Sequence, residues 1–195
     1  MLARLRGPIA ALFAAVALTT GGAAHALVYD FTSGAQGWTA TGAAFGGTPV
    51  AFGGDPGGYF SMTDTSLGEM VASVSTGGLN LSASLGGSVG FDFNYVFGGA
   101  MSNGNAGTLS LFNGATSYST DLFSNGAINS VALGTWQTFS AALTGATFGT
   151  SDANLLSVLS NVTEIRIAVD PRMSGLGQLA ETGGIDKVNI SAVPE

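Results

Sequence analysis

The side chains that could do chemistry in this sequence are few, because histidine occurs once, at His25, and cysteine not at all. Even His25 falls in a segment that reads as a secretory leader. Arg4 and Arg6 precede an apolar run from Pro8 to Leu18, and small residues follow to Ala24-His25-Ala26. The apolar run is shorter than the roughly 20 residues a membrane span needs. Cleavage is expected after Ala26, leaving residues 27–195 with neither histidine nor cysteine. The usual serine, cysteine and zinc hydrolase centres need one of these as base, nucleophile or ligand, so they are excluded. Carboxylate chemistry survives, as an acid/base pair across a glycosidic bond or as an oxygen-only metal site.

Among the internal glutamates, Glu164 shares a strand face with Arg166 and reads as a surface ion pair, while Glu69 and Glu181 lack aromatic surroundings. A carboxylate-based glycan hydrolase is therefore the third reading of function, and no catalytic residue is assigned. Asp186 stands out among the aspartates. In Gly184-Ile-Asp-Lys-Val-Asn-Ile190 its period-two parity is that of Val188 and Ile190, which predicts an inward carboxylate needing a partner, a hydrogen-bond donor or a metal. Two tryptophans and four tyrosines suffice for a sugar-stacking platform. Trp38, Tyr59 and Trp136 are its candidates, with core packing the competing role for each tryptophan.

The elements that must position these groups are mostly strands. Glycine supplies 31 of the 195 residues, about twice the usual share of about 7%, as doublets between short apolar runs. Ser88–Phe97 alternates most clearly, with Val89, Phe91, Phe93, Tyr95 and Phe97 on one face and Asp92 and Asn94 on the other. Shorter runs at Leu27–Phe31, Gly37–Ala40, Gly58–Thr63, Glu69–Val74, Gly107–Phe112, Thr116–Thr120, Ile128–Leu133, Thr135–Leu143 and Val162–Asp170 complete the set. Gly46–Gly58 and Gly98–Gly107 read as loops. One helix is predicted after Ser151 as N-cap, with Leu155, Val158, Leu159 and Val162 on its apolar face. The fold class is all-β: a single antiparallel β-sandwich over residues 27–192 with one short helix.

Two stretches carry a family resemblance. Phe31-Thr-Ser-Gly-Ala-Gln-Gly-Trp38, then Gly53-Gly-Asp-Pro-Gly-Gly-Tyr-Phe60 and Asp64, resemble the opening of laminin B domains. The similarity runs from Tyr29 to Ile190 and implies a jelly-roll-like sandwich akin to carbohydrate-binding modules, extracellular and non-catalytic. In such sandwiches an Asp at the start of the last strand commonly ligates a structural calcium with a first-strand carboxylate. The resemblance thus implies one calcium held by Asp30 and Asp186. The C-terminal Ser191-Ala-Val-Pro-Glu195 is similar to the threshold of a PEP-CTERM sorting signal, beginning at Val193 and lacking the helix and basic cluster that follow it. That resemblance implies a trimmed protein of a Gram-negative bacterium, secreted or held at the cell surface.

Charge narrows the partners. The formal net charge is −7, and loss of Arg4 and Arg6 with the leader makes it more negative, leaving only Arg166, Arg172 and Lys187 as cations. Such a surface repels nucleic acid and anionic lipid. The expected function is an exported binding module for extracellular polysaccharide, with no membrane contact by the mature chain. A structural or adhesive matrix protein acting through protein contacts is the alternative.

Overall fold

Period-two alternation resolves into two antiparallel sheets in the computed structural model, which describes residues 26–42, 44–64, 69–97, 107–123, 133–169 and 181–193. In chain order the strands are β1 (Leu27–Tyr29), β2 (Trp38–Gly42), β3 (Ala44–Gly54), β4 (Gly57–Asp64), β5 (Met70–Leu79), β6 (Ser88–Phe97), β7 (Thr108–Asn113), β8 (Thr116–Asp121) and β9 (Trp136–Ala142). Helix α1 (Asp152–Leu159), β10 (Val162–Val169) and β11 (Glu181–Ser191) follow. The first sheet runs β3-β4-β11-β6-β9, and the second β2-β5-β10-β7-β8. β11 is the hub of the first sheet. Its leading half, Glu181–Ile185, pairs with β4, and its trailing Val188–Ile190 pairs on the same side with β1.

The core lies between the sheets because one face of each strand is apolar. From the first sheet Phe60, Met62, Phe91, Phe93, Ile185 and Val188 point inward, and from the second Val74, Leu109, Leu111, Ile165 and Ile167 meet them. Each such side chain contributes roughly 1.5–3 kcal/mol when fully buried. Trp38 joins this core at 2% exposure, with its ring edge-on to Tyr29 at 5.5 Å.

Helix α1 forms as its sequence predicts. Ser151 Oγ accepts the Asn154 N–H at 3.2 Å, and Leu155, Val158 and Leu159 are buried. Val162 belongs instead to the first position of β10. Asp152 ties the preceding loop down by accepting the Gly145 N–H at 2.6 Å. Glu164 and Arg166 pair at 2.9 Å on the outer face of the second sheet, where the guanidinium also lies 4.6 Å above the Phe112 ring.

The Gly46–Gly58 stretch, expected to be a loop, instead holds most of β3, an eleven-residue edge strand, and the start of β4. Its glycines serve close approach. A Cβ on Gly47 would lie 2.5 Å from the Ala40 Cβ and 2.6 Å from the Phe60 ring, and one on Gly54 would lie 2.0 Å from the Gly58 carbonyl oxygen. Of the expected Ile128–Leu133 strand only Leu133 is described, in a turn before β9. The leader up to His25, residues 98–106, the Asp170-Pro171-Arg172 turn and Pro194-Glu195 lie outside the described residues. No helix among the described residues is long and apolar enough to cross a membrane.

Candidate functional site: the outer face of the first sheet

Strand parity decides what this face carries. Because Phe60 and Met62 of β4 point inward, Tyr59 points outward, and because Phe91 and Phe93 of β6 point inward, Asp92 and Asn94 point outward. Register then sets Gly184 of β11 beside Asn94, and Asn94 beside Trp136 of β9. Gly184 leaves a gap into which the two rings lean. Tyr59 and Trp136 meet edge to face with centroids 5.4 Å apart. The Trp136 Nε1–H donates to the Gly53 carbonyl at 2.7 Å, so the end of β3 pins the indole. Next to that carbonyl, Phe52 stands 85% exposed. The rings offer apolar surface while the indole N–H is already spent, an arrangement suited to stacking.

The acidic part of the face is arranged by a bulge. Lys187 has φ +44°, and the β6–β11 register slips between the Asp186–Asp92 and Asn189–Gly90 pairs. Ile185 and Val188 consequently both face the core. Asp186 is thereby turned to the outer face, which corrects the inward position its parity predicted; a β-bulge inserts one residue and inverts the alternation beyond it. Asp186 is nonetheless fully buried, because the β3–β4 turn folds over it. Its Oδ2 accepts the Asp55 N–H at 2.8 Å and its Oδ1 the Lys187 N–H at 2.7 Å. Burial pushes its carboxyl above the ordinary 3.8 and the neighbouring Asp92 pushes the same way, against the pull of the two N–H donors. The Lys187 ammonium stands 3.4 Å from Asp92 Oδ2 and 3.6 Å from Asp55 Oδ2. Desolvation lowers its pKa but is outweighed by Asp92 and Asp55, so the net shift is upward.

Tyr59 and Trp136 are brought together, whereas Trp38 packs in the core. Among the described residues Asp30 and Asp186 share no hydrogen-bond partner. Asp30 Oδ1 accepts from the Thr32 backbone N–H, the Thr32 hydroxyl and Gln36 Nε2. Its slight burial, which raises the pKa, is outweighed by the bonds from Thr32 and Gln36, so the carboxyl is held below its ordinary value. Each Asp186 oxygen accepts one N–H, and among the described residues no three acidic side chains cluster as metal ligands. Glu69 precedes β5, Glu164 lies on the second sheet bound to Arg166, and Glu181 is buried near the Tyr95 hydroxyl at 3.4 Å.

Asp55, Lys187, Gly184 and Phe52 were missed in sequence. Lys187 is the only lysine, which was a visible signal, but the bulge that places it was not.

No family model matches the sequence, and no curated protein matches it either. Solved structures do match. The family 11 carbohydrate-binding module of the cellulosomal cellulase Lic26A-Cel5E of Clostridium thermocellum superposes with a TM-score of 0.56 at 14% identity, over 89% of this chain and 98% of the module. The fold is a carbohydrate-module-like β-sandwich. The same module in complex with a β-1,3-1,4-mixed-linked tetrasaccharide gives 0.55 at 14% identity, over 89% of this chain and 99% of that one. An exo-β-agarase gives 0.58 at 15% identity, over 88% of this chain and only 26% of its own.

Proposed function

We propose that this sandwich is a non-catalytic module that binds uncharged polysaccharide on the outer face of its first sheet, outside a Gram-negative cell. The observation that carries this reading is the Tyr59–Trp136 pair, set by Gly184 and pinned to the Gly53 carbonyl, with exposed Phe52 preceding Gly53 in the chain. The fold's likeness to a module solved with a mixed-linked tetrasaccharide supports it. Charge narrows the ligand further. Asp55, Asp92 and Asp186 share this face with one lysine, which disfavours uronic-acid or sulfated chains. The leader-like segment and the runs that resemble laminin B domains support export and a place in the matrix.

Affinity electrophoresis through gels containing mixed-linked β-1,3-1,4-glucan, agarose or alginate tests the reading. The neutral gels retard the chain and alginate does not. Trp136→Ala and Tyr59→Ala, each shown folded by circular dichroism, weaken retention about tenfold, equivalent to about 1.4 kcal/mol. Retention unchanged in both variants, or retention by alginate alone, refutes it. A second reading, assembly through protein contacts, is favoured by Phe52 because it stands exposed on the edge strand β3. Concentration-dependent oligomers that Phe52→Ser abolishes, with no retention in any gel, would select it.

A further inference from the structure

Calcium is the cation that the resemblance implies for a sandwich of this kind, yet the carboxylates that gather here already have a cation of their own. We propose that the Lys187 ammonium is the built-in counter-ion of this domain and fastens the β3–β4 turn to the first sheet, so that the fold is complete without a divalent ion.

Three elements converge on this point. Asp55 comes from the turn after β3, Asp92 from the middle of β6 and Asp186 from β11. Asp92 and Asp186 are direct register partners with carboxylates on one face. Asp92 is only 2% exposed, and its Oδ2 has no hydrogen-bond donor; the Lys187 Nζ at 3.4 Å is the charge that answers it. A buried carboxylate without such an answer is costly. Asp186 is differently served, by two backbone N–H groups, and one of those comes from Asp55 itself. The turn is therefore held at Asp55 twice, through its N–H to Asp186 and through its carboxylate to Lys187.

The backbone supports the assignment. A lysine at φ +44° occupies the left-handed region that side chains other than Gly, Asn and Asp seldom enter. The bulge it creates turns Asp186 onto the outer face and sets its own ammonium between Asp55 and Asp92. The other described cation, Arg166, is on the second sheet, bound to Glu164. Because Lys187 is the sole lysine of the sequence, lysine-selective chemistry reads this one group.

The test uses stability and spectroscopy, so it stands apart from glycan binding. Thermal melts of the wild-type chain are expected to coincide in EDTA and in millimolar calcium. Lys187→Gln, which keeps a long polar side chain but loses the charge, melts several degrees lower. Lys187→Gln/Asp92→Asn recovers most of that loss, since the buried charge leaves with its partner. A wild-type melt that rises with calcium, a Lys187→Gln melt equal to wild type, or a double variant no better than the single one overturns the proposal. Should Lys187→Gln not fold, reductive ¹³C-methylation of the wild-type chain decides. The dimethyl-lysine resonance is expected to titrate at higher pH in the native protein than in urea and to ignore calcium. Equal titration in the two states, or a shift on adding calcium, overturns it.

Discussion

Gly184→Ala perturbs the aromatic pair while leaving every aromatic atom in the chain. Gly184 does not hold a positive φ, so the backbone accepts alanine and the cost is one of space. The new Cβ would lie 2.7 Å from Tyr59 Cδ2, 3.0 Å from Tyr59 Cε2 and 3.1 Å from Trp136 Cη2. Ordinary carbon contacts are about 3.5–4.0 Å, so the tyrosine ring must retreat by about 1 Å. Trp136 cannot share the retreat without loosening its bond to the Gly53 carbonyl, worth about 1 kcal/mol. Overpacking of this kind costs about 1–3 kcal/mol, and the lower chain entropy of unfolded alanine returns roughly 0.4–1 kcal/mol. The net expectation is a loss of about 1 kcal/mol, seen as a Tm lower by roughly 2–4 °C for a domain of this size. Neutral-glucan retention should weaken about tenfold, because the rings no longer share one platform. Urea unfolding followed by circular dichroism and affinity gels on the same preparation measure both. A variant at least as stable as wild type with unchanged retention would show that the rings do not depend on the gap at Gly184.

Ser151→Ala removes the acceptor for the Asn154 N–H and should cost about 1 kcal/mol, read as a Tm lower by roughly 2–4 °C, with glycan retention unchanged. A loss of retention at equal stability would contradict the assignment of α1 to scaffold. The alkaline limb of stability should report Lys187. Its folded pKa lies above the ordinary 10.5, so its contribution is fully present below that value and is lost as pH rises through the folded one. The urea midpoint of the wild-type chain should therefore fall more steeply above that pH than the midpoint of Lys187→Gln, and parallel curves would count against the pairing.

Much of the sandwich was legible because its strands obey period two. β6 was read at its observed bounds, since Val89, Phe91, Phe93 and Tyr95 form an unbroken apolar face. Ser151 and the leucines that follow it announced the helix. Alternation failed where a local geometry intervenes. β3 hid among glycines because its contacts to Ala40, Phe60 and Gly58 exclude a Cβ, and that exclusion depends on neighbours distant in sequence. Asp186 was assigned the wrong face because a single positive φ at Lys187 inverts parity, and no residue type there signals it. The aromatic site was half legible. Tyr59 and Trp136 were candidates on composition, but only strand register distinguishes them from buried Trp38.

The position of β11 bears on how the chain reaches its fold. It is the last of the described strands, yet it lies between β4 and β1 on one side and β6 on the other. A sheet whose central strand is synthesised last cannot close early, and such long-range pairings make folding slow. Until Glu181–Ser191 arrives, β4 and β6 have no common partner and expose their inward aromatic faces. A chain of this topology keeps its first sheet open until Glu181–Ser191 has been made and docks between β4 and β6.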